Sequence, residues 1–411
     1  MTVVAWLGDV GTPRPYPSRP AAYRRSMTVT SIGGTCAAGF EAVGVAFAAN
    51  FVDPGEAGAA VSVVVDGQVV VDLWGGPADV TTGRAWTGDT PVLVYSATKG
   101  PAATCALLLW ERGLLDIDAP VADVWPEFAA AGKDRVTTRH LLTHQAGLPV
   151  FDLPITFAEG HDHDLVAARL AAQAPRWEPG TAHGYHPLTF GWLVGEVVRR
   201  VSGRTLGTVL ADDVSGPLGL DLWIGLPPER EPTVARLVPA RFDLGGLAGD
   251  DAVLRFAEAL FDLGSLTFQA FSNPQGQFDV ESFNDPALHQ AEWPAANGIA
   301  TAQGLARFYG ELACDRILAA ATLDEAARAH VSGPDRVLAL DTSFGLGFSL
   351  STAASVPGSF GHEGAGGSVA FADRARGVGF AYVMNQLTAS LGVDRRSERL
   401  VEALYSSLGP A

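Results

Sequence analysis

The sequence predicts an α+β fold in which an antiparallel sheet is flanked by N- and C-terminal helices and carries a mainly helical inserted domain. Three observations lead to this prediction. A hairpin signal occupies residues 59–74, helical patterns dominate residues 150–290, and strand patterns return before a final helix at 395–408. Strands from both ends of the chain can share one sheet only if the helical stretch is an insertion.

The N-terminal elements are a helix and a hairpin. Residues 40–51 have a helical pattern, and the valine-rich runs 59–65 and 68–74 favour strands. Asp66 and Gly67 separate the two runs, and this dipeptide is typical of a type I′ turn because both positions need positive φ. We therefore expect a tight antiparallel hairpin here.

The rest of the chain alternates between helical and strand patterns. Residues 115–125 are predicted as an extended connection. The predicted helices are 102–113, 137–143, 188–201, 252–263, 301–313 and 395–408. The predicted C-terminal strands are 343–350, 368–372 and 378–385.

The domain organisation follows from this order. Residues 1–27 are rich in proline and are expected to form a flexible lead. Residues 28–117 and 296–411 are expected to build the sheet domain, and residues 118–295 the mainly helical domain. We expect the active site at the interface between these two domains.

The composition excludes several classes of partner. The chain has 411 residues and a formal net charge of −17, which argues against binding to nucleic acid or to an anionic membrane. Its three cysteines are widely spaced, which favours a reducing, cytoplasmic location. No apolar run is long enough to span a membrane. The oligomeric state stays open, and a homo-oligomer is compatible with the sequence.

The stretch Ser96-Ala97-Thr98-Lys99 is the main catalytic candidate. Only two of the 28 basic residues are lysines, Lys99 and Lys133, and lysine can lose its proton when buried whereas arginine cannot. A helix starting here would place Lys99 one turn after Ser96 on the same face. A neutral amine could then activate the serine hydroxyl. The alternative is a serine helix cap followed by a solvated lysine, and the motif alone does not separate the two.

Two further segments carry candidate residues. Tyr185 follows a turn-rich loop, and its hydroxyl could pass a proton beside a lysine; the alternative is an aromatic side chain packed on the core. Residues 361–367 are rich in glycine, and a free strand-edge amide there could complete an oxyanion hole. The alternative for this segment is an ordinary tight turn.

Rival motifs do not fit. A dinucleotide-binding loop starting at Gly364 would need glycine where Val369 stands, and the nucleophile elbow G-x-S-x-G is absent. The segment from His161 to Asp164 has metal-binding residue types, but a solvated loop is favoured. We expect no cofactor and no metal.

The chain resembles the serine β-lactamase and penicillin-recognising superfamily, and within it the class C-like branch that contains the family VIII carboxylesterases. The likeness runs from about residue 40 to 405 and depends on the order and spacing of several short motifs. These are Val94 to Lys99, Leu141 to Leu148, Trp177 to Gly180 followed by Tyr185, Pro294 to Gly298, and Gly361 to Gly364.

The resemblance implies a role for each matching residue. Ser96 would be the acylated nucleophile, Lys99 its proton acceptor and Tyr185 the partner acid and base. The backbone amides of Ser96 and Ala365 would form the oxyanion hole. His362 would stand where β-lactamases have the lysine of K-T-G, and His362 and Gly364 would contact the substrate.

Two departures from the family pattern favour an esterase. Pro187 replaces the asparagine of Tyr-x-Asn, and His362 replaces the lysine that would meet a substrate carboxylate. We therefore predict a serine carboxylesterase acting on short-chain esters. The alternatives are a β-lactamase or D-amino-acid peptidase, an acyltransferase, and a catalytically silent binding homologue. Phe151 and Trp293 are predicted to line the substrate pocket, with packing in the core as the alternative.

Overall fold

The centre of the computed structural model is a six-stranded antiparallel sheet with the strand order β1-β3-β2-β14-β13-β12. The structure describes residues 31–52, 55–241, 251–274, 279–350, 356–388 and 394–409. The predicted lead, 1–27, lies outside the described residues.

The strands are β1 (Ile32–Cys36), β2 (Ala59–Val65), β3 (Gln68–Gly75), β4 (Pro77–Asp79), β5 (Arg84–Ala85), β6 (Val92–Leu93), β7 (Leu222–Trp223), β8 (Val238–Arg241), β9 (Ile299–Ala300), β10 (Val331–Pro334), β11 (Asp341–Phe344), β12 (Phe360–Glu363), β13 (Val369–Asp373), β14 (Val378–Met384) and β15 (Gln386–Thr388). The α-helices are α1 (Glu41–Asn50), α2 (Lys99–Glu111), α3 (Thr138–Leu142), α4 (His163–Ala172), α5 (Thr189–Ser202), α6 (Leu206–Leu210), α7 (Gly216–Leu218), α8 (Asp251–Phe261), α9 (Leu266–Ser272), α10 (Pro286–Gln290), α11 (Ala302–Ala313), α12 (Ala320–Ala326) and α13 (Arg395–Leu408).

The hairpin β2–β3 has the predicted turn. Val65 pairs with Gln68, and Asp66 and Gly67 have φ values of 50° and 79°. Strand β14 then pairs with β2 on one side and β13 on the other, so strands from both chain ends lie side by side. The predicted α+β sheet with its helical insertion is confirmed.

Close contact between α11 and the sheet builds the core. Every residue of β14 is buried, and α11 packs on β14, β2 and β13. A side chain at Gly379 would overlap the backbone of Ala306 and Gly310 in α11. The helix can therefore approach the sheet only because glycine stands at this point. No helix in the described part of the chain has both the length and the apolar character needed to cross a bilayer.

Two predicted segments differ from the structure. Residues 343–350 were expected to form one strand, but β11 ends at Phe344 and the chain turns at Gly347, whose φ is +82°. A side chain at Gly345 would overlap the carbonyl oxygen of Ala326, so this turn fits closely against the neighbouring helix. The connection 115–125 contains a 3₁₀ turn at Val121–Asp123 where an extended chain was predicted.

A buried ion cluster joins distant segments beside the sheet. Arg396, which is 2% exposed, donates to Glu56 Oε1 at 2.9 Å and to Asp394 Oδ2 at 2.6 Å. The same guanidinium donates to the carbonyl oxygens of Gln386 and Gly366, both at 2.9 Å. Burial raises the pKa of Glu56 to about 7, although Arg396 opposes that rise. Arg396 thus fixes the turn that contains Gly366.

We expect Arg396→Met to destabilise the fold strongly, because it leaves the carboxyl groups of Glu56 and Asp394 buried without their cation. Loss of one partner of a buried pair costs about 3–5 kcal/mol. Urea denaturation would measure the free energy of unfolding. Arg395→Met, at the exposed neighbouring arginine, is the control and should change it by about 0.5 kcal/mol or less. If the two substitutions changed the free energy of unfolding equally, the buried ion cluster around Arg396 would not stabilise the fold as described.

Candidate active site

Ser96 lies in a strained turn between β6 and α2. It begins a 3₁₀ turn, Ser96–Thr98, that runs directly into α2. Tyr95 has a φ of 48°, a value that a tyrosine rarely adopts outside functional or tightly held turns. The Val94 amide holds this turn by donating to the carbonyl oxygen of Gly298 at 2.9 Å. The sequence prediction of a serine at a helix start agrees with this geometry.

Lys99 points from the first turn of α2 towards Ser96. Its Nζ lies 3.0 Å from Ser96 Oγ, 2.7 Å from the carbonyl oxygen of Pro187 and 3.0 Å from that of Ala295. The side chain is fully buried, and this burial lowers the pKa of the Lys99 amine well below its usual value. The alternative of a solvated lysine is wrong.

The three contacts of Lys99 suit a neutral amine. A carbonyl oxygen can only accept, so the contacts with Pro187 and Ala295 use two N–H groups. A neutral amine has two N–H groups and one lone pair. The lone pair is then left for the third direction, which is that of Ser96 Oγ. The two carbonyls therefore leave the lone pair of a neutral Lys99 directed at Ser96 Oγ, which is the orientation that a proton acceptor would need.

Tyr185 approaches Ser96 from another side. Its hydroxyl donates to Ser96 Oγ at 2.8 Å, and its ring stacks on Phe344 with centroids 6.0 Å apart. Burial raises the pKa of Tyr185 above its usual value, so the phenol holds its proton at neutral pH. Ser96, Lys99 and Tyr185 are thus brought together, and the reading of Tyr185 as only a core aromatic does not describe its position.

Asp335 fixes the backbone of Tyr185. This carboxylate is 3% exposed, and it accepts from the Tyr185 amide at 3.0 Å. It also accepts from the amides of Val337 and Leu338, both at 2.8 Å, and from the Thr342 hydroxyl at 3.1 Å. The connection between β10 and β11 is therefore tied to the segment that carries Tyr185.

Two neutral histidines lie behind Tyr185. His144 Nδ1 accepts from the His186 amide at 3.1 Å, and the His144 ring lies 5.0 Å from the Tyr185 ring. His186 Nε2 accepts from the Leu148 amide at 3.0 Å. Burial lowers the pKa of both imidazoles, that of His186 to about 3. The surroundings of Lys99 on this side are therefore uncharged.

His362 is the third side chain next to Tyr185. Its Nδ1 lies 2.7 Å from the carbonyl oxygen of Glu363 and must carry the proton, because a carbonyl only accepts. Nε2 is then unprotonated and lies 3.4 Å from the Tyr185 oxygen, whose one proton is donated to Ser96 Oγ. Burial is the main cause that lowers the pKa of His362, to about 3. A neutral imidazole thus occupies the position where the family pattern has a cationic lysine.

The strand end after His362 approaches the Ser96 turn closely. A side chain at Gly364 would overlap the carbonyl oxygen of Val94, so only glycine allows this approach. Ala365 follows and is exposed. The backbone amides of Ser96 and Ala365 donate to no acceptor among the described residues. Two free N–H groups near a nucleophile are what an oxyanion hole requires.

Phe151 and Trp293 lie in the core. Trp293 is 1% exposed and packs against Trp192, with ring centroids 5.1 Å apart, and against Phe157 at 5.0 Å. Phe151 is 6% exposed and contacts the same Trp192 at 5.7 Å. Trp293 also lies 5.8 Å from the ring of His161. The predicted role of Phe151 and Trp293 in substrate binding stays a prediction.

The segment from His161 to Asp164 shows no metal site. His163 Nε2 lies 3.1 Å from Glu196 Oε2, and Glu196 also accepts from Arg199 and Arg200. No group of three or more potential metal ligands occurs in the residues that the structure describes.

Comparison with known proteins gives the family. The β-lactamase family model matches residues 46–403 of this chain. The chain belongs to the β-lactamase family. The esterase/β-lactamase LipL of Mycobacterium tuberculosis is 37% identical to this chain over 361 residues. The match covers 86% of this chain and 82% of LipL.

Two solved structures share the fold of this β-lactamase family protein. A penicillin-binding protein homologue from Caulobacter crescentus is 42% identical with a TM-score of 0.81 and covers 92% of this chain and 100% of its own. A family VIII carboxylesterase is 39% identical with a TM-score of 0.82 and the same two coverages, 92% and 100%. The predicted superfamily, fold and serine hydrolase class are confirmed.

The sequence analysis did not predict two backbone carbonyls and one carboxylate of this β-lactamase family site. Pro187 was noted only for lacking a side-chain amide, yet its carbonyl oxygen holds Lys99. The carbonyl oxygen of Ala295 also accepts a hydrogen bond from Lys99. Ala295 lies in the family motif Pro294 to Gly298, and this position could have pointed to it in the sequence. Asp335 lies in a segment with no recognised motif, so no sequence signal pointed to it.

We expect Asp335→Asn to lower kcat by about tenfold or more with a smaller effect on KM, because a misplaced catalytic group costs rate before it costs binding. Both constants would be measured with p-nitrophenyl butyrate, the type of substrate that the sequence predicts. If Asp335 acts through Tyr185, its substitution should matter much less in a Tyr185→Phe background.

The matched control for this prediction is Asp341→Asn, which changes an exposed carboxylate on β11. It should leave kcat and the melting temperature unchanged. Fully additive effects of the Asp335 and Tyr185 substitutions would contradict a positioning role and leave Asp335 with only a structural one.

Proposed function

We propose that this protein is a serine carboxylesterase that hydrolyses short-chain carboxylic esters through an acyl-enzyme on Ser96. The observation that carries the proposal is the environment of one oxygen atom. Ser96 Oγ lies 3.0 Å from the buried amine of Lys99 and 2.8 Å from the hydroxyl of Tyr185. A hydroxyl becomes an effective nucleophile when an uncharged base is within hydrogen-bond distance.

The proposed reaction has two halves. Ser96 Oγ attacks the ester carbonyl carbon while its proton moves to Lys99, and the amides of Ser96 and Ala365 stabilise the oxyanion. The tetrahedral intermediate collapses, and the departing alkoxide takes a proton from the Lys99 and Tyr185 pair. Water then attacks the acyl-enzyme, giving a proton to the same pair, and the acid leaves as Ser96 regains its hydrogen.

The charges around the site support esters over penicillins as substrates. A penicillin carries a carboxylate, and the family pattern meets it with the lysine of K-T-G. In this chain, His362 stands there with a pKa lowered by burial to about 3, so it offers no positive charge at neutral pH. Relatives with esterase and carboxylesterase in their names support the same choice.

A β-lactamase is the second candidate, because the LipL relative is named for both activities and a penicillin-binding protein homologue shares the fold. Rates on p-nitrophenyl butyrate, a chromogenic cephalosporin and a D-alanyl peptide would separate the candidates. We expect kcat/KM to be highest for the butyrate. Faster turnover of the cephalosporin would overturn the esterase proposal.

Labelling with a fluorophosphonate tests whether the protein acts as a serine hydrolase by this route. We expect one adduct on Ser96 by peptide mass spectrometry. Ser96→Ala should lose the adduct and at least about 10³-fold in kcat, as expected for removal of a nucleophile. The absence of any adduct on the native protein would favour a silent homologue.

A second measurement distinguishes hydrolysis from acyl transfer. If an alcohol is added to the assay and the product is a new ester in place of the acid, the protein is an acyltransferase.

The pH dependence of kcat/KM tests the role of Lys99. Only the neutral amine can accept the Ser96 proton, and burial lowers the pKa of Lys99 well below its usual value. We therefore expect kcat/KM to rise with pH and to reach its plateau well below the ordinary lysine pKa of about 10.4. Lys99→Arg should abolish this rise and most activity, because a guanidinium stays charged.

Lys133→Arg is the matched control at the other lysine. Lys133 is also buried, and its Nζ donates to the carbonyl oxygens of Ala130 and Ala171 at 2.7 and 3.0 Å. Burial lowers the pKa of the Lys133 amine to about 8. This amine has no hydrogen bond with Ser96. The pH profile should keep its shape in this variant. If Lys133→Arg changes the shape of the pH profile and Lys99→Arg does not, Lys99 is not the base.

A further inference from the structure

Glu363 is a half-buried residue whose carboxyl group the proposed mechanism does not use. It is the last residue of β12, between His362 and Gly364. One of its two carboxyl oxygens, Oε1, is buried and has no hydrogen-bond partner among the described residues. Burial raises the pKa of Glu363 to about 7. A buried carboxyl oxygen without a partner is unfavourable, so its presence beside the candidate active site calls for a functional explanation.

The strand places Glu363 at the open edge of the site. Among the described residues, β12 is the terminal strand of the six-stranded sheet, and on its outer edge Gly361 pairs with Ser349. Two residues beyond Glu363 is Ala365, whose free amide is a candidate oxyanion donor. Burial raises the pKa of Tyr185, and the charges of Asp335 and Glu363 add to that rise. The two chain neighbours of Glu363 both contact the site: His362 Nε2 lies 3.4 Å from the Tyr185 hydroxyl, and Gly364 lies against the carbonyl oxygen of Val94. This position places Glu363 within electrostatic range of Tyr185 and the Ser96 turn.

No cation among the described residues neutralises this carboxylate. On its own strand, His362 is uncharged at neutral pH because burial lowers its pKa to about 3. Across the site, α2 contributes the amine of Lys99, whose pKa burial also lowers, and the facing loop contributes the protonated phenol of Tyr185. Strand β13 presents Val369 opposite Glu363. When Glu363 ionises, its field reaches the substrate without compensation.

We propose that Glu363 selects substrates by charge, favouring esters with a neutral or cationic acyl group and disfavouring those whose acyl group carries a carboxylate. This inference rests on the proposed esterase function and names its substrate class. The physical basis is Coulomb repulsion between two carboxylates in a site of reduced dielectric constant. At separations of several ångströms such repulsion changes binding by about tenfold.

The selection should depend on pH with a defined sign. Below about pH 7 Glu363 is protonated and neutral, so an anionic ester is tolerated. Above that pH the carboxylate is charged and repels the anionic ester. The ratio of kcat/KM for an anionic ester to that for a neutral ester should therefore fall by about tenfold as pH rises through 7.

Three p-nitrophenyl esters of similar acyl length provide the test: the hexanoate, the adipate monoester and the 5-(trimethylammonio)pentanoate. The free carboxylate of the adipate is ionised throughout pH 5.5–9, since aliphatic carboxyl groups titrate near about 4.3. Taking the ratio to the hexanoate within each variant cancels the titration of Lys99. In the native enzyme we expect the adipate ratio to fall and the trimethylammonio ratio to rise with pH.

Glu363→Gln should make both ratios independent of pH and raise the adipate ratio at pH 8.5 by about tenfold. Glu402→Gln, which removes an exposed carboxylate from α13, is the matched control and should behave as the native enzyme does. Circular dichroism would verify that each variant is folded.

Two results would overturn the inference. A pH-independent adipate ratio in the native enzyme refutes it whether or not Glu363→Gln folds, and so does a ratio that changes with pH equally in both enzymes. In either case turnover of the hexanoate leaves the esterase function standing. If none of the three esters is hydrolysed, the proposed function fails and this inference falls with it.

Discussion

Burial of the Lys99 amine is the interaction on which the rest of the site depends, because a solvated ammonium could not take a proton from Ser96. Desolvation alone would leave a buried amine with unsatisfied N–H groups, which is costly. The carbonyl oxygens of Pro187 and Ala295 satisfy those groups. The same two contacts aim the remaining lone pair at the serine. Burial with these two hydrogen bonds therefore favours the neutral form of the Lys99 amine and also fixes its orientation.

The fold brings three distant segments together around this amine. The Ser96 turn with α2 supplies the proposed nucleophile and base, the Tyr185 segment supplies the phenol, and the strand end at Gly364 supplies the candidate amide of the oxyanion hole. Each segment is held from behind by buried polar groups. Asp335 holds the backbone of Tyr185, and Arg396 holds the turn at Gly366. Rigid support of this kind keeps catalytic groups in position without reorganisation during the reaction.

The distribution of charge around Ser96 is unusual for so acidic a protein. His144, His186 and His362 all have pKa values lowered by burial, so no imidazolium stands beside Lys99 at neutral pH. Two acidic residues lie near Tyr185: Asp335 accepts hydrogen bonds from backbone amides, whereas burial raises the pKa of Glu363 to about 7. A site with no permanent cation near the substrate is suited to uncharged esters, whose carbonyl needs only dipoles for its stabilisation.

The sequence by itself determined most of the secondary structure pattern and pointed to the candidate reactive groups. The Asp66-Gly67 hairpin, the final helix and the spacing of Ser96 and Lys99 are local features, and local sequence is sufficient to specify them. The combination of short motifs indicated the family and with it Tyr185 and His362. Where glycines bend the chain against a neighbour, as at Gly345 and Gly347, the strand prediction for 343–350 was wrong.

Only the tertiary structure decided whether Lys99 is buried, which atoms surround it and what holds Tyr185. Pro187, Ala295 and Asp335 act through contacts between residues 88 to 196 positions apart, as in the Lys99 hydrogen bonds and the bond from Tyr185 to Asp335. Backbone carbonyls have no residue-type signature, and a carboxylate that binds an amide looks in sequence like any surface acid. The pKa values of these groups depend on desolvation, which is a property of the packed molecule and not of the chain.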